Sequence, residues 1–203
     1  MNKRIIKKAM AELAKADPDV GKGVGLVGIP EPRVRPAGFS TLFHTILSQQ
    51  ISTSASAAIL GRVMLLMPEL TPERVLQTDV EQLRTAGMSY RKIEYAKGLA
   101  LAITDGSLDV DRLAELDDHE AIQQIVQLKG FGRWSAEIYL MFSLGRRDIF
   151  PADDLALQVA LMKLKSLPQR PTPKQTRVLT EIWSPWRSVG AIFLWHYYRG
   201  APN

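Results

Sequence analysis

The chain has 203 residues, 46% of them hydrophobic, which is enough for one large packed domain or two small lobes. It has no cysteine, which excludes disulfides, cysteine-held zinc and a cysteine-held iron–sulfur cluster. The net charge of +5 suits a polyanionic partner, although such an excess also occurs in proteins without one.

The N-terminal residues are basic and lack a long apolar core. No apolar run approaches the roughly 18 residues of a membrane span. We therefore expect no signal peptide and no membrane contact, and a protein that is not secreted. Residues 3–16 have the spacing of an amphipathic helix, and the Gly- and Pro-rich residues 17–37 predict a connecting loop.

A long helix is predicted over about 39–67, because apolar residues keep helical spacing up to Pro68. Short capped helices follow. Their predicted start signals are Thr71-Pro72, Asp79, Ser89, Asp117 or Asp118, Thr172-Pro173 and Ser184-Pro185. Because no convincing alternating strand is present, we predict an all-α fold. It would form one unit of two helical lobes, one of about 38–115 and the other of 1–37 with about 116–203.

The segment 128–136 reads as helix, glycine hairpin, helix. Gly130 and Gly132 lie one residue apart between two apolar segments with helical spacing. Glycine allows a ligand to approach the backbone, and the first N–H groups of the following helix favour an anion. The hairpin therefore suits a phosphate and sequence-independent contact. From the glycines alone, an ordinary turn between two helices is an equal alternative.

A second motif, Phe150-Pro151-Ala152-Asp153-Asp154-Leu155, follows the hairpin. Together the two motifs resemble the helix-hairpin-helix (HhH-GPD) DNA glycosylase superfamily, and within it the 3-methyladenine DNA glycosylase II group. The resemblance covers roughly residues 36–200. It implies an all-α, two-lobed fold, and because the chain begins close to the helical part we expect the N-terminal β-domain of some relatives to be absent.

The resemblance assigns the catalytic role to Asp154 and makes Asp153 the helix cap. A fixed carboxylate can stabilise the positive charge that develops on the sugar and can orient the attacking water. Spacing alone favours a structural role, in which the two aspartates are a cap and a neighbour that complements the helix dipole, and it is the family motif that reverses this preference.

Trp134 stands where relatives that also cleave the strand have a lysine, which forms a Schiff base with the sugar. The resemblance therefore implies a glycosylase without lyase activity. It also places Trp134 and Trp195 in the base pocket, where an indole can stack on a cationic base. Ile138 lines the same pocket at a position that is often aromatic in relatives. Core packing is the alternative for each indole.

Gln50 matches the residue that enters the duplex and fills the gap left by the extruded base. A solvated helix bend is the alternative. The hairpin can also hold Na⁺ or K⁺ in this superfamily, here through the carbonyls of Val126, Leu128 and Phe131; no other cofactor is implied. Candidates for contacts with the DNA backbone are Lys129, Gly130, Gly132, Arg133, Ser135, Arg91, Lys92 and Arg187.

The resemblance thus implies a monomeric enzyme that removes alkylated purines, such as 3-methyladenine and 7-methylguanine, from duplex DNA by base flipping. Two alternatives stay open. One is a glycosylase of the same fold for deaminated or oxidised bases, and the other is a non-catalytic helix-hairpin-helix module that only binds DNA.

Overall fold

The computed structural model describes residues 1–201, and within that range it is helical without a strand. The predicted all-α class is confirmed. Two short 3₁₀ turns, Arg112–Ala114 and Glu181–Trp183, accompany the α-helices. The α-helices are α1 Lys3–Ala16, α2 Pro18–Val27, α3 Phe39–Ser48, α4 Thr53–Leu66, α5 Pro72–Gln77, α6 Val80–Thr85, α7 Tyr90–Thr104, α8 Asp118–Val126, α9 Arg133–Phe142, α10 Leu155–Leu164, α11 Pro173–Leu179 and α12 Arg187–Gly200.

The chain divides into two compact units. The terminal unit comprises Met1–Val34 and Leu140–Asn203, and the central unit comprises Arg35–Tyr139. The boundary predicted near residue 115 thus lies within α9 instead. The reason is that residues 116–139 pack on the central helices, as in the ion pair of Lys129 with Glu94 on α7.

The terminal unit is built around α1, α2, α10 and α12. Residues 17–37 are not one loop as predicted, because α2 forms within them. Asp17 caps α2 by accepting a hydrogen bond from the Asp19 N–H, and Pro18 occupies the first turn. Gly23 lacks the Cβ that would lie 2.8 Å from the side chains of Leu164 and Phe193. Close packing therefore stabilises a helix whose glycines disfavour it.

The central unit is organised on α7, which packs against α3, α5 and α6. The single helix predicted over 39–67 is wrong, since α3 ends at Ser48 and α4 begins at Thr53. Ser52 caps α4 by accepting from the Ala55 N–H, and Gln50 has a positive φ of 57°. The backbone of Ser52 is extended, as is usual at an N-cap, and the backbone of Gln50 is left-handed, so neither residue continues a helix.

Most of the predicted start signals are confirmed. Ser184-Pro185 is the exception, because α12 begins at Arg187. None of the helices in residues 1–201 has both the length and the apolar character needed to cross a membrane. The confirmed caps are Thr71, Asp79, Ser89, Asp117 and Thr172.

Candidate functional site

Asp154 lies at the start of α10 in the terminal unit. A tight turn precedes it, in which the Asp154 N–H donates to the Pro151 carbonyl at 3.0 Å. This turn makes Asp154 itself the N-cap, and its Oδ1 accepts from the Leu157 N–H at 3.0 Å. The prediction that Asp153 is the cap is wrong. The Asp153 carboxylate is exposed and pairs with Arg177 at 2.9 Å.

Two side chains hold the loop before Asp154. Buried Gln158 donates to the Ala152 carbonyl at 2.8 Å, and Arg177 donates to the Phe150 carbonyl at 3.1 Å. Neither residue was predicted from the sequence. Gln158 carried a usable signal, since a glutamine within an apolar helix needs a hydrogen-bond partner when buried. Arg177 carried no signal, because its partners lie 24 and 27 residues away.

Trp195 contacts the same carboxylate. Its Nε1–H donates to Asp154 Oδ1 at 3.3 Å, and its ring lies 5.8 Å from that of Phe142. The structure thus brings Asp154 and Trp195 together, and it adds Phe142, which the sequence analysis did not single out. The start of α10 favours negative charge, because the helix dipole is positive there.

Arg187, expected on the DNA backbone, is engaged within the terminal unit. Its Nε and Nη2 donate to the two carboxylate oxygens of Asp148, both at 2.8 Å, and Ser184 donates to Oδ2. Burial by itself would raise the pKa of Asp148, but the hydrogen bonds from Arg187 and Ser184 outweigh it and lower that pKa. Arg187 therefore joins the start of α12 to the segment before the Asp154 loop.

The glycine hairpin lies between α8 and α9, as predicted, but it belongs to the central unit and not to the unit that contains the chain ends. Gly130 has a φ of 90°, and a Cβ there would lie 2.3 Å from the Tyr95 ring, so only glycine fits. The Phe131 N–H donates to the Leu128 carbonyl at 3.1 Å. A Cβ at Gly132 would meet no atom within 4 Å, which leaves this side of the hairpin open to a ligand.

The charged candidates around the hairpin differ in their surroundings. Lys129 pairs with Glu94 and Arg133 pairs with Glu137, yet both basic side chains stay more than half exposed. Arg91 is exposed. Ser135 is only 7% exposed, so its hydroxyl is a poor candidate for a phosphate contact.

Lys92 is half-buried, and its Nζ donates to the Leu47 carbonyl at 2.7 Å. Burial lowers the pKa of its amine. Of the neighbouring glutamines, Gln49 donates to the Gly130 carbonyl at 2.7 Å, whereas the Gln50 side chain is exposed. The turn between α3 and α4 is thus fixed to the hairpin through the residue before Gln50.

Trp134 and Ile138 both lie on the part of α9 that belongs to the central unit. Trp134 is 41% exposed, whereas Ile138 is 6% exposed. An indole that is exposed to this degree at the first turn of a helix is not explained by core packing. Residues 1–201 contain no group of three or more His, Cys, Asp or Glu side chains placed to hold a metal.

The chain is similar to known repair proteins over most of its length. The model of the HhH-GPD superfamily base excision DNA repair protein matches residues 43–185. DNA-3-methyladenine glycosylase 1 of Schizosaccharomyces pombe is 34% identical over 197 residues, covering 94% of this chain and 86% of that protein.

Two solved structures show the same fold. The S. pombe 3-methyladenine DNA glycosylase bound to abasic DNA has a TM-score of 0.82 and 33% identity, covering 93% of this chain and 95% of that one. A DNA-3-methyladenine glycosidase from Bacillus halodurans has a TM-score of 0.86 and 29% identity, with 94% and 89% covered. The predicted resemblance is confirmed, and the chain belongs to the HhH-GPD superfamily of base excision DNA repair proteins.

Proposed function

We propose that this protein is a monofunctional DNA glycosylase, which hydrolyses the N-glycosidic bond of alkylated purines such as 3-methyladenine and 7-methylguanine in duplex DNA. Relatives and structural neighbours named for 3-methyladenine support this substrate class. The observation that carries the proposal is the Asp154 carboxylate, which two donors hold at the start of α10.

Asp154 would act on the sugar. As the glycosidic bond breaks, positive charge develops at C1′, and a carboxylate already held in place stabilises that charge without reorganising. The same carboxylate can orient or deprotonate the attacking water. An alkylated purine that carries positive charge leaves without a strong general acid, so one carboxylate is sufficient.

Trp134 supports release of the base without cleavage of the strand. A lyase step needs an amine that forms a Schiff base with C1′, and an indole cannot do so. The exposed Trp134 ring is instead suited to stack on a cationic base, with an energy of about 0.5–2 kcal/mol. Ile138, on the same helix, would line the base pocket beside Trp134.

The central unit would bind the duplex. The base must leave the stack before it can react, and exposed Gln50 would fill the gap. The open side of the hairpin at Gly132 suits a backbone phosphate. The Leu128 carbonyl keeps a second lone pair after accepting from Phe131, so with Val126 and Phe131 it could ligate Na⁺ or K⁺. We propose a monomer that acts in the cytoplasm at the nucleoid, or in the nucleus.

The test is base release from methylated duplex DNA by the wild type and by Asp154→Asn. Asparagine also caps helices well, so this variant keeps the cap but loses the charge. We expect unchanged thermal stability and a single-turnover rate that falls roughly 10²- to 10⁴-fold.

Asp153→Asn is the matched control, since it removes the neighbouring charge and the pair with Arg177. Its rate should stay within a few-fold of wild type. Full activity of Asp154→Asn would contradict the mechanism. A panel of deaminated and oxidised lesions, assayed in parallel with strand cleavage, separates the proposed substrate class from the alternatives.

A further inference from the structure

The turn between α3 and α4 is fastened at two points within the central unit. Gln49 Nε2 donates to the Gly130 carbonyl of the hairpin at 2.7 Å. Lys92 Nζ, from α7, donates to the Leu47 carbonyl in the last turn of α3, also at 2.7 Å. These two bonds satisfy a hairpin carbonyl and a helix-end carbonyl that would otherwise need water.

The hairpin rests on the same helix. The Tyr95 ring of α7 lies directly under Gly130, where a Cβ would be 2.3 Å from its Cδ2 atom. Glu94, the preceding residue, pairs with Lys129 at 3.2 Å. Consequently α7 supports both the turn and the hairpin, and Gln49 is the direct link between them.

Gln50 occupies the part of this turn that has no such support. Its φ of 57° is unfavourable for a residue other than glycine, and its side chain is exposed. A strained backbone persists only where the surrounding contacts determine it. The adjacent Gln49 side chain is half-buried and bonded, so it sets the direction in which Gln50 leaves the turn.

We propose that Gln49 is a positioning residue that couples the Gln50 wedge to the phosphate-binding hairpin. Through the Gly130 carbonyl, the element that holds the strand also fixes the height and direction of the side chain that enters the duplex. Gln49 itself need not touch DNA. The inference rests on the proposed function for the role of Gln50, and its test does not depend on base release.

The experiment uses a duplex that carries a tetrahydrofuran abasic analogue with 2-aminopurine as the adjacent base. Insertion of the wedge changes the stacking of 2-aminopurine, and hence its fluorescence, at saturating protein. Gln49→Met keeps the length of the side chain and removes the donor. The equilibrium for insertion should fall about two- to tenfold, the range expected for loss of one hydrogen bond.

A double-mutant cycle with Gln50→Ala separates positioning from general damage. If Gln49 acts through Gln50, then Gln49→Met should change nothing further once Gln50 is alanine. Affinity for undamaged duplex should stay within about twofold of wild type, since an isosteric change leaves the α7 supports of the hairpin in place. Gln77→Met, at an exposed glutamine of the same unit, should match wild type throughout.

Three results would overturn the inference. They are unchanged fluorescence for Gln49→Met, an effect of Gln49→Met that is equal with Gln50 and with Gln50→Ala, or no fluorescence change when the wild type binds the abasic analogue. If Gln49→Met melts early, Gln49→Leu provides the same cycle with an uncharged side chain that cannot donate. The wild type could release no base from any lesion while the fluorescence cycle still shows that Gln49 acts through Gln50. That result would sustain the inference and refute the proposed function.

Discussion

At the scale of single residues, Asp154 combines two roles at one oxygen. Oδ1 accepts both the Leu157 N–H that begins α10 and the Trp195 indole N–H. The hydrogen bond from Leu157 holds the carboxylate at the start of the helix, and the hydrogen bond from the indole holds it from a second direction. The sequence predicted the cap at Asp153, whereas the structure places it at Asp154, the residue that we propose as catalytic.

Trp195→Phe tests this second contact. Phenylalanine keeps an aromatic ring near Phe142 but removes the N–H that donates to Asp154. Because the bond is long, at 3.3 Å, we expect the single-turnover rate of base release to fall about three- to tenfold, with little change in binding to abasic DNA.

Trp186→Phe is the control for that change, because the Trp186 indole N–H also donates to a carboxylate, that of Glu12, in the same unit. It should lower the melting temperature and leave the rate of release unchanged. Equal losses of rate in the two variants would show that Trp195 supports the fold and does not orient Asp154.

At the scale of elements, the sequence predicted periodic and capped helices well. The helix over residues 3–16 and the start of α7 after Ser89 were predicted correctly, since amphipathic spacing and a serine cap are local signals. The errors came where long-range contacts decide. The break at Gln49 and Gln50 depends on a carbonyl 81 residues away, and α2 depends on packing against α10 and α12.

Asp17 shows how such a contact stabilises α2. It is 2% exposed, and it accepts from Lys165 at 3.0 Å and from the Trp183 indole at 2.8 Å. Burial by itself would raise the pKa of Asp17, but these hydrogen bonds, with the charge of Lys165, lower it below its usual value. The ionised form is therefore favoured by folding.

Asp17→Asn should lower the free energy of unfolding by about 2–4 kcal/mol at pH 7, because a buried lysine loses its main partner. A lowered folded-state pKa stabilises the protein above the unfolded value of about 3.9, and that contribution disappears as the pH falls through the folded pKa. The gap between wild type and variant should therefore narrow below about pH 4.

Urea unfolding at several pH values, followed by circular dichroism, measures this gap. Glu115→Gln removes an exposed carboxylate and should give no gap at any pH. A difference between wild type and Asp17→Asn that is constant down to pH 3 would mean that packing, and not charge, is what the substitution disturbs.

At the scale of the whole molecule, the sequence located the functional motifs but not the frame that holds them. The hairpin turn was predictable because few residues other than glycine fit it, whereas Asp154 was identified through the resemblance. Arg177 and Tyr95 were not predictable, since their roles are defined only by the atoms they meet in the fold. The net charge of the chain follows directly from its composition, whereas the ion pairs of the charged side chains around the hairpin do not.

That net charge of +5 leads to a prediction about binding. Affinity for undamaged duplex should fall linearly with salt on logarithmic axes, with a slope of about −0.9 for each phosphate that the protein neutralises. Arg91→Gln should reduce the magnitude of this slope by about 1, whereas Lys7→Gln, an exposed site in α1, should leave it unchanged. Each variant removes one positive charge, so a difference between them distinguishes local phosphate contacts from overall charge. Equal slopes in fluorescence-anisotropy titrations would remove Arg91 from the DNA-binding surface, and a flat wild-type response would contradict backbone binding altogether.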